Sequence, residues 1–88
     1  MSASQSPSPQ TLADLQVGQS GCVESLAMDD GDARRLMELG FLPGAIVQLS
    51  RRSPFGDPSV YRIDDADVAL RRKTAQQIVL GEDPREAS

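Results

Sequence analysis

Side-chain chemistry in this chain has to come from carboxylates, guanidinium groups and one thiol, because its 88 residues contain no histidine and a single cysteine, Cys22. The acids gather in two trios, Asp29, Asp30 and Asp32, then Asp64, Asp65 and Asp67. Either trio offers oxygens suited to a hard divalent ion. Transition-metal sites more often draw on imidazole, however, and both trios have simpler work as a helix start and a solvated turn. No base or cation lies beside Cys22 in sequence to stabilise its thiolate, so it reads as a small buried hydrophobe. No glycine-rich loop leads into a phosphate-binding helix, and no nucleophile has a base within reach. Catalysis is therefore not expected, and no metal or cofactor is assigned.

The cations form three clusters, Arg34-Arg35, Arg51-Arg52 and Arg71-Arg72-Lys73. Such clusters on a small domain raise nucleic-acid binding as an alternative. Two features weigh against it. Residues 11–81 carry eight basic side chains against ten acidic ones, and the aromatics number three, Phe41, Phe55 and Tyr61. Phosphate tracking needs net positive charge and base stacking needs aromatic platforms. A groove for proline-rich peptides needs a row of exposed aromatics, which three residues do not supply. What remains is a protein-interaction module whose function sits on loops and a helix face.

The segment 33–44 is the one stretch with a clear helical period. Leu36, Met37, Leu39 and Gly40 fall on one side, while Arg34, Arg35 and Glu38 point away and pair at helical spacing. Asp29, Asp30 and Asp32 supply N-cap oxygens and complement the helix dipole. Gly40 suits a left-handed C-cap, with Phe41 folding back onto Leu36. Pro43-Gly44 fits the two central positions of a type II turn. Two turns of helix are marginal in water, so strands on either side must cover the apolar face.

Around this unit the pattern is sheet. Thr11 starts a single turn bearing Leu12 and Leu15, and Gly21 suggests a bulge or close backbone approach in a strand within 19–28. Val47 and Leu49 alternate with Gln48 and Ser50 across 45–52, and residues 53–58 form a proline-rich loop that either exposes Phe55 or tucks it under. Tyr61 and Ile63 share a face of the strand 59–64, and the turn 64–67 joins it to 68–71 as a hairpin. A turn at 73–76 precedes a short strand at 78–80. Five strands are too few for two full sheets, so the expected fold is mainly β, a small SH3-like barrel of about five strands with one short inserted α-helix. Residues 1–10 and 82–88 read as a disordered N-terminal tail and an acidic C-terminal tail around a domain at 11–81. One cysteine, no signal-like start and no long apolar run fit a cytoplasmic location.

The run Arg34-Arg35-Leu36-Met37-Glu38-Leu39-Gly40-Phe41-Leu42-Pro43-Gly44 resembles the ferrous iron transport protein A family, FeoA, in its Arg-Leu-x-x-Leu-Gly-x-x-Pro-Gly pattern. Leu12, Leu15 and Gly18, then Gly56-Asp57-Pro58, then Ala69-Leu70-Arg71-Arg72 with Ala75 and Ile78, extend the likeness across about 11–80. Two positions depart from the family pattern: the 64–67 turn has no glycine, and Thr74 stands where an acid often precedes the alanine. The resemblance implies an SH3-like barrel without catalysis of its own. It also implies a cytosolic accessory role in bacterial ferrous iron uptake, with FeoB, the membrane transporter, as partner and membrane contact only through it. The expected contacts are Arg34, Arg35 and Glu38 on the helix, and Phe55, Gly56 and Asp57 in the loop. Leu36, Leu39, Gly40, Pro43 and Gly44 are expected to be structural. A metal-responsive or nucleic-acid-binding barrel is the alternative.

Overall fold

Alternating apolar residues and closely spaced turns produce five antiparallel strands in one sheet. The computed structural model describes residues 9–81. Its strands are β1 (Ser20–Leu26), β2 (Ile46–Arg52), β3 (Ser59–Ile63), β4 (Ala66–Leu70) and β5 (Ile78–Gly81), with helices α1 (Asp30–Glu38) and α2 (Arg72–Ala75) and a 3-10 turn at Leu12–Asp14. The sheet order is β4-β3-β2-β1-β5, so the last two strands form its two edges. Leu70 of β4 and Ile78 and Leu80 of β5 nevertheless belong to one buried cluster with Val23, Val47, Leu49, Tyr61 and Ile63. The sheet is thus curled around its core as an SH3-like barrel. Single-residue bulges at Glu24 in β1 and Ser50 in β2 supply the local bend.

The expected bulge at Gly21 is displaced to Glu24, and Gly21 has the other role expected of it, close approach. A Cβ there would stand 2.6 Å from Leu80 Cδ1. The hairpin between β3 and β4 is also tighter than expected, because Ile63 pairs with Ala66 and only Asp64 and Asp65 turn. Asp64 takes φ 53°, a conformation aspartate tolerates better than most residues, which is how the turn manages without glycine. The proposed tails at 1–10 and 82–88 lie outside the described residues except for Pro9 and Gln10. Gln10 is tied down, its carbonyl accepting from Leu80 N–H at 2.8 Å. With the Thr11–Val79 bridge, this segment covers the outer edge of β5.

Helix α1 begins three residues before the apolar stripe suggests, at Asp30, with Asp29 as N-cap. The Asp29 side chain makes no capping hydrogen bond, so Asp30 and Asp32 support the helix start through charge near the dipole. The C-terminus is a Schellman cap. Gly40 adopts φ 111°, Gly40 N–H donates to Met37 O at 3.0 Å, and Phe41 N–H donates to Leu36 O at 3.1 Å. Phe41 is thereby turned fully into the core beside Leu36. The following turn closes with Ala45 N–H on Leu42 O, and Gly44 at φ 94° occupies its third position, as a type II turn requires. Val23 clips this turn to β1 on both sides, accepting from Gly44 N–H at 2.7 Å and donating to Ala45 O at 2.9 Å.

The 3-10 turn closes one end of the barrel. Asp14 Oδ2 accepts from the amides of Gln10 and Thr11, and Leu12 and Leu15 are fully buried. The Tyr61 hydroxyl donates to Leu12 O at 3.2 Å and Arg52 donates to Leu15 O at 2.7 Å, so two strands hold the lid by its carbonyls.

Leu36→Ala should cost about 2 to 5 kcal/mol of stability through the cavity it leaves. Gly40→Val should cost about 1 to 3 kcal/mol, because a β-branched residue resists positive φ. Thermal melts at wild-type level would contradict either assignment. Burial raises the Tyr61 pKa above its ordinary value of 10.0, outweighing the lowering effect of Arg52. The unfolded chain therefore gives up this proton first, and stability that is intact below about pH 10 declines as pH rises through the native value. Tyr61→Phe should flatten that decline, and titrating the phenolate absorbance of the chain's single tyrosine reads the native pKa directly.

Candidate interaction surfaces

The residues singled out in the sequence fall into two separate regions. Helix α1 enters β2 at its N-terminal end, whereas the loop 53–58 leaves from its C-terminal end. Seven strand residues at about 3.3 Å each put roughly 20 Å between them. The proposed helix and loop contacts are not one surface.

At the first region Arg34, Arg35 and Glu38 are exposed, as expected. They do not pair with one another: among the described residues the only salt bridge is Arg62 Nε to Asp67 Oδ1 at 3.1 Å, across β3 and β4. Met37 and Leu39 differ from expectation. Only Ala33 and Leu36 of the helix are buried, while Met37, Leu39 and Leu42 remain 37%, 48% and 48% exposed. The reason is angular. A face centred on Ala33, Leu36 and Gly40 leaves positions 37 and 39 on its two flanks, since each residue advances about 100°. Leu39 is therefore not a core residue, because the apolar arc from Leu39 round to Met37 is wider than the strip of helix that the barrel covers. Met37, Leu39 and Leu42 instead place apolar area beside unpaired charges.

At the second region Phe55 is 94% exposed. The loop beneath it is braced, with Gly56 N–H on Ser53 O at 2.9 Å and Ser53 N–H on Pro58 O at 3.2 Å. Gly56 serves this geometry through φ 84°. Asp57 has a structural task that the sequence did not reveal: its Oδ1 accepts from the Arg72 amide at 2.9 Å and caps α2. Of the three loop residues proposed as contacts, Phe55 alone presents its side chain outward without a partner inside the domain. Pro43 is exposed within the turn whose positive-φ residue is Gly44.

The candidate ligands are placed apart from any common centre. Among the described residues no three His, Cys, Asp or Glu side chains converge as a metal site. Asp30 and Asp32 lie in the first turn of α1, Asp64 and Asp65 form the hairpin turn, and Asp67 pairs with Arg62. Cys22 is buried in β1. No helix among the described residues is long and apolar enough to cross a membrane.

The FeoA domain model matches residues 10–80. The chain belongs to the FeoA family. Over 67 residues it is 31% identical to the Fe(2+) transport protein A/Fe(2+) transporter FeoB fusion protein of Porphyromonas gingivalis, covering 76% of this chain and only 8% of that relative. The solution structure of FeoA from Chlorobium tepidum is similar at a TM-score of 0.75 and 33% identity, over 80% of this chain and 67% of that one. FeoA of Stenotrophomonas maltophilia, solved with zinc and described as a prokaryotic SH3 domain protein, matches at a TM-score of 0.72 and 34% identity over 83% and 91% of the two chains.

Substitutions in the loop separate presentation from support. Phe55→Ala should leave the melt within about 0.5 kcal/mol of wild type, whereas Asp57→Ala should cost about 0.5 to 2 kcal/mol through the lost cap. Equal melts would show that Asp57 does not hold α2.

Proposed function

We propose that this FeoA protein is a cytosolic accessory factor of ferrous iron uptake that acts by binding the cytosolic part of a FeoB-type transporter, with no catalysis of its own. The observation that carries this reading is the Porphyromonas gingivalis relative, in which a transport protein A segment and the FeoB transporter form one chain. Covalent fusion raises the effective concentration of two parts that work together, and separate chains of the same kind must reach that proximity through affinity.

The α1 end is the contact that best suits a folded partner. It combines apolar area from Met37, Leu39 and Leu42 with exposed Arg34, Arg35 and Glu38, which form no ion pair among the described residues. Apolar residues centred in a charged border follow the usual arrangement of protein interfaces. The backbone under them is fixed by the Schellman cap and the clip to Val23, so little order has to be gained on binding. The Phe55 loop, at the far end of β2, lies outside this contact.

Calorimetry with the transporter's cytosolic part tests the reading. Replacing Leu39 and Leu42 together by Ala should weaken association by about 2 kcal/mol with little change in the melt, as expected of interface anchors. Arg34→Glu with Arg35→Glu should change the association rate and its salt dependence. Affinity indifferent to both pairs would remove the α1 end as the contact, and no measurable association would remove the partner.

A further inference from the structure

The barrel is electrically polarised, and its positive end carries the one almost fully exposed aromatic. Register pairing aligns Arg52 with Ser59 and Ser59 with Leu70, so the ends of β2 and β4 lie together. Arg71 follows directly, and α2 is tied to the same place by Asp57. Arg51, Arg52, Arg71, Arg72 and Lys73 therefore crowd one end, and Arg52 and Arg72 both act electrostatically on Tyr61 beneath it. All five cations are exposed, and none forms a salt bridge among the described residues. The nearby carboxylate of Asp57, which accepts from the Arg72 amide, sets one negative charge against these five cations. At the opposite end of β3 lie Asp64, Asp65 and Asp67 against Arg62 alone. A chain of net charge −4 thus presents a strongly cationic pole.

Phe55 stands at the tip of this pole on a loop braced by two internal hydrogen bonds. We propose that the cationic pole docks on an anionic lipid bilayer, with Phe55 entering the headgroup region and the surrounding cations facing lipid phosphates. Shape favours this occupant over an acidic protein. A protruding ring needs a pre-formed cavity to be buried by a folded partner, whereas the headgroup layer yields to it. The cations also come from two segments flanking the tip, and apart from Arg52, which donates to Leu15 O, they have no pairing geometry of their own, which mobile headgroups can satisfy by rearranging. Such clusters are attracted to anionic leaflets within about a Debye length, and one aromatic adds a weak interfacial anchor. The association is reversible and oriented, since the acidic hairpin is repelled from the same surface. It leaves the α1 end accessible and does not depend on the transporter.

Co-sedimentation of the full chain with protein-free vesicles tests it. Vesicles of phosphatidylcholine and phosphatidylglycerol should bind the chain at low salt and release it at high salt, and phosphatidylcholine alone should not bind. Arg51→Glu with Arg71→Glu and Lys73→Glu should lower partitioning at least about tenfold, since each basic residue at the surface contributes on the order of fivefold. Phe55→Ser should lower it severalfold, and Arg34→Glu with Arg35→Glu should leave it unchanged. Melts of all variants should match wild type, which separates lost docking from lost folding. No partitioning at low salt would overturn the proposal, as would equal loss from the α1-end variants. Binding of the cationic pole only to the transporter's cytosolic part would overturn it in favour of an acidic protein surface.

Discussion

The hydrogen bond from Phe41 N–H to Leu36 O is the constraint on which the rest of the domain depends. It forms only because Gly40 accepts φ 111°, and it reverses the chain so that Phe41 is buried against the residue whose carbonyl it caps. A nine-residue helix has too few internal bonds to persist by itself in water. Here it is anchored at its last turn, and the reversed chain meets Val23, which bonds to both Gly44 and Ala45. That clip sets where β2 starts beside β1, and so where Val47 and Leu49 meet Tyr61 and Ile63.

With one end fixed in this way, β2 acts as a strut between two different surfaces. At its start, the cap holds a mixed apolar and charged patch; at its finish, Arg51 and Arg52 open into the braced loop that carries Phe55. The two ends are coupled to the core by different means. The α1 end relies on backbone bonds, whereas the far end is tied through side chains, with Tyr61 and Arg52 on the lid carbonyls and Asp57 on the α2 amide. Both kinds of tie depend on particular residues: the α1-end bonds need glycine at positions 40 and 44, and the far end needs Arg52, Tyr61 and Asp57.

Much of this architecture was legible in the sequence because its signals are local. Gly40 before Phe41, Pro43 before Gly44, and the alternation of Val47 and Leu49 each specify a conformation through a few adjacent residues. The elements that escaped depend on distant partners. Nothing near Gly21 reports the Leu80 side chain that a Cβ there would press against, and nothing near Asp57 reports an amide fifteen residues on. Met37 and Leu39 were misplaced because the apolar arc of the helix is wider than the strip the sheet covers, and only tertiary packing shows that Ala33 and Leu36 are the part buried. The helix flank and the loop were each legible as exposed segments. That they lie at opposite ends of one strand is a property of the sheet, which the linear pattern does not contain.

The most direct measurement of the central claim, that a fixed scaffold presents a partner surface at its α1 end, is an amide chemical-shift map of the labelled domain during titration with the transporter's cytosolic part. The account predicts shifts at Arg34, Arg35, Met37, Glu38, Leu39 and Leu42, with Val23, Phe41 and Gly44 unmoved. Shifts concentrated on the strands, or collapse of the Phe41 and Gly44 signals on binding, would contradict it.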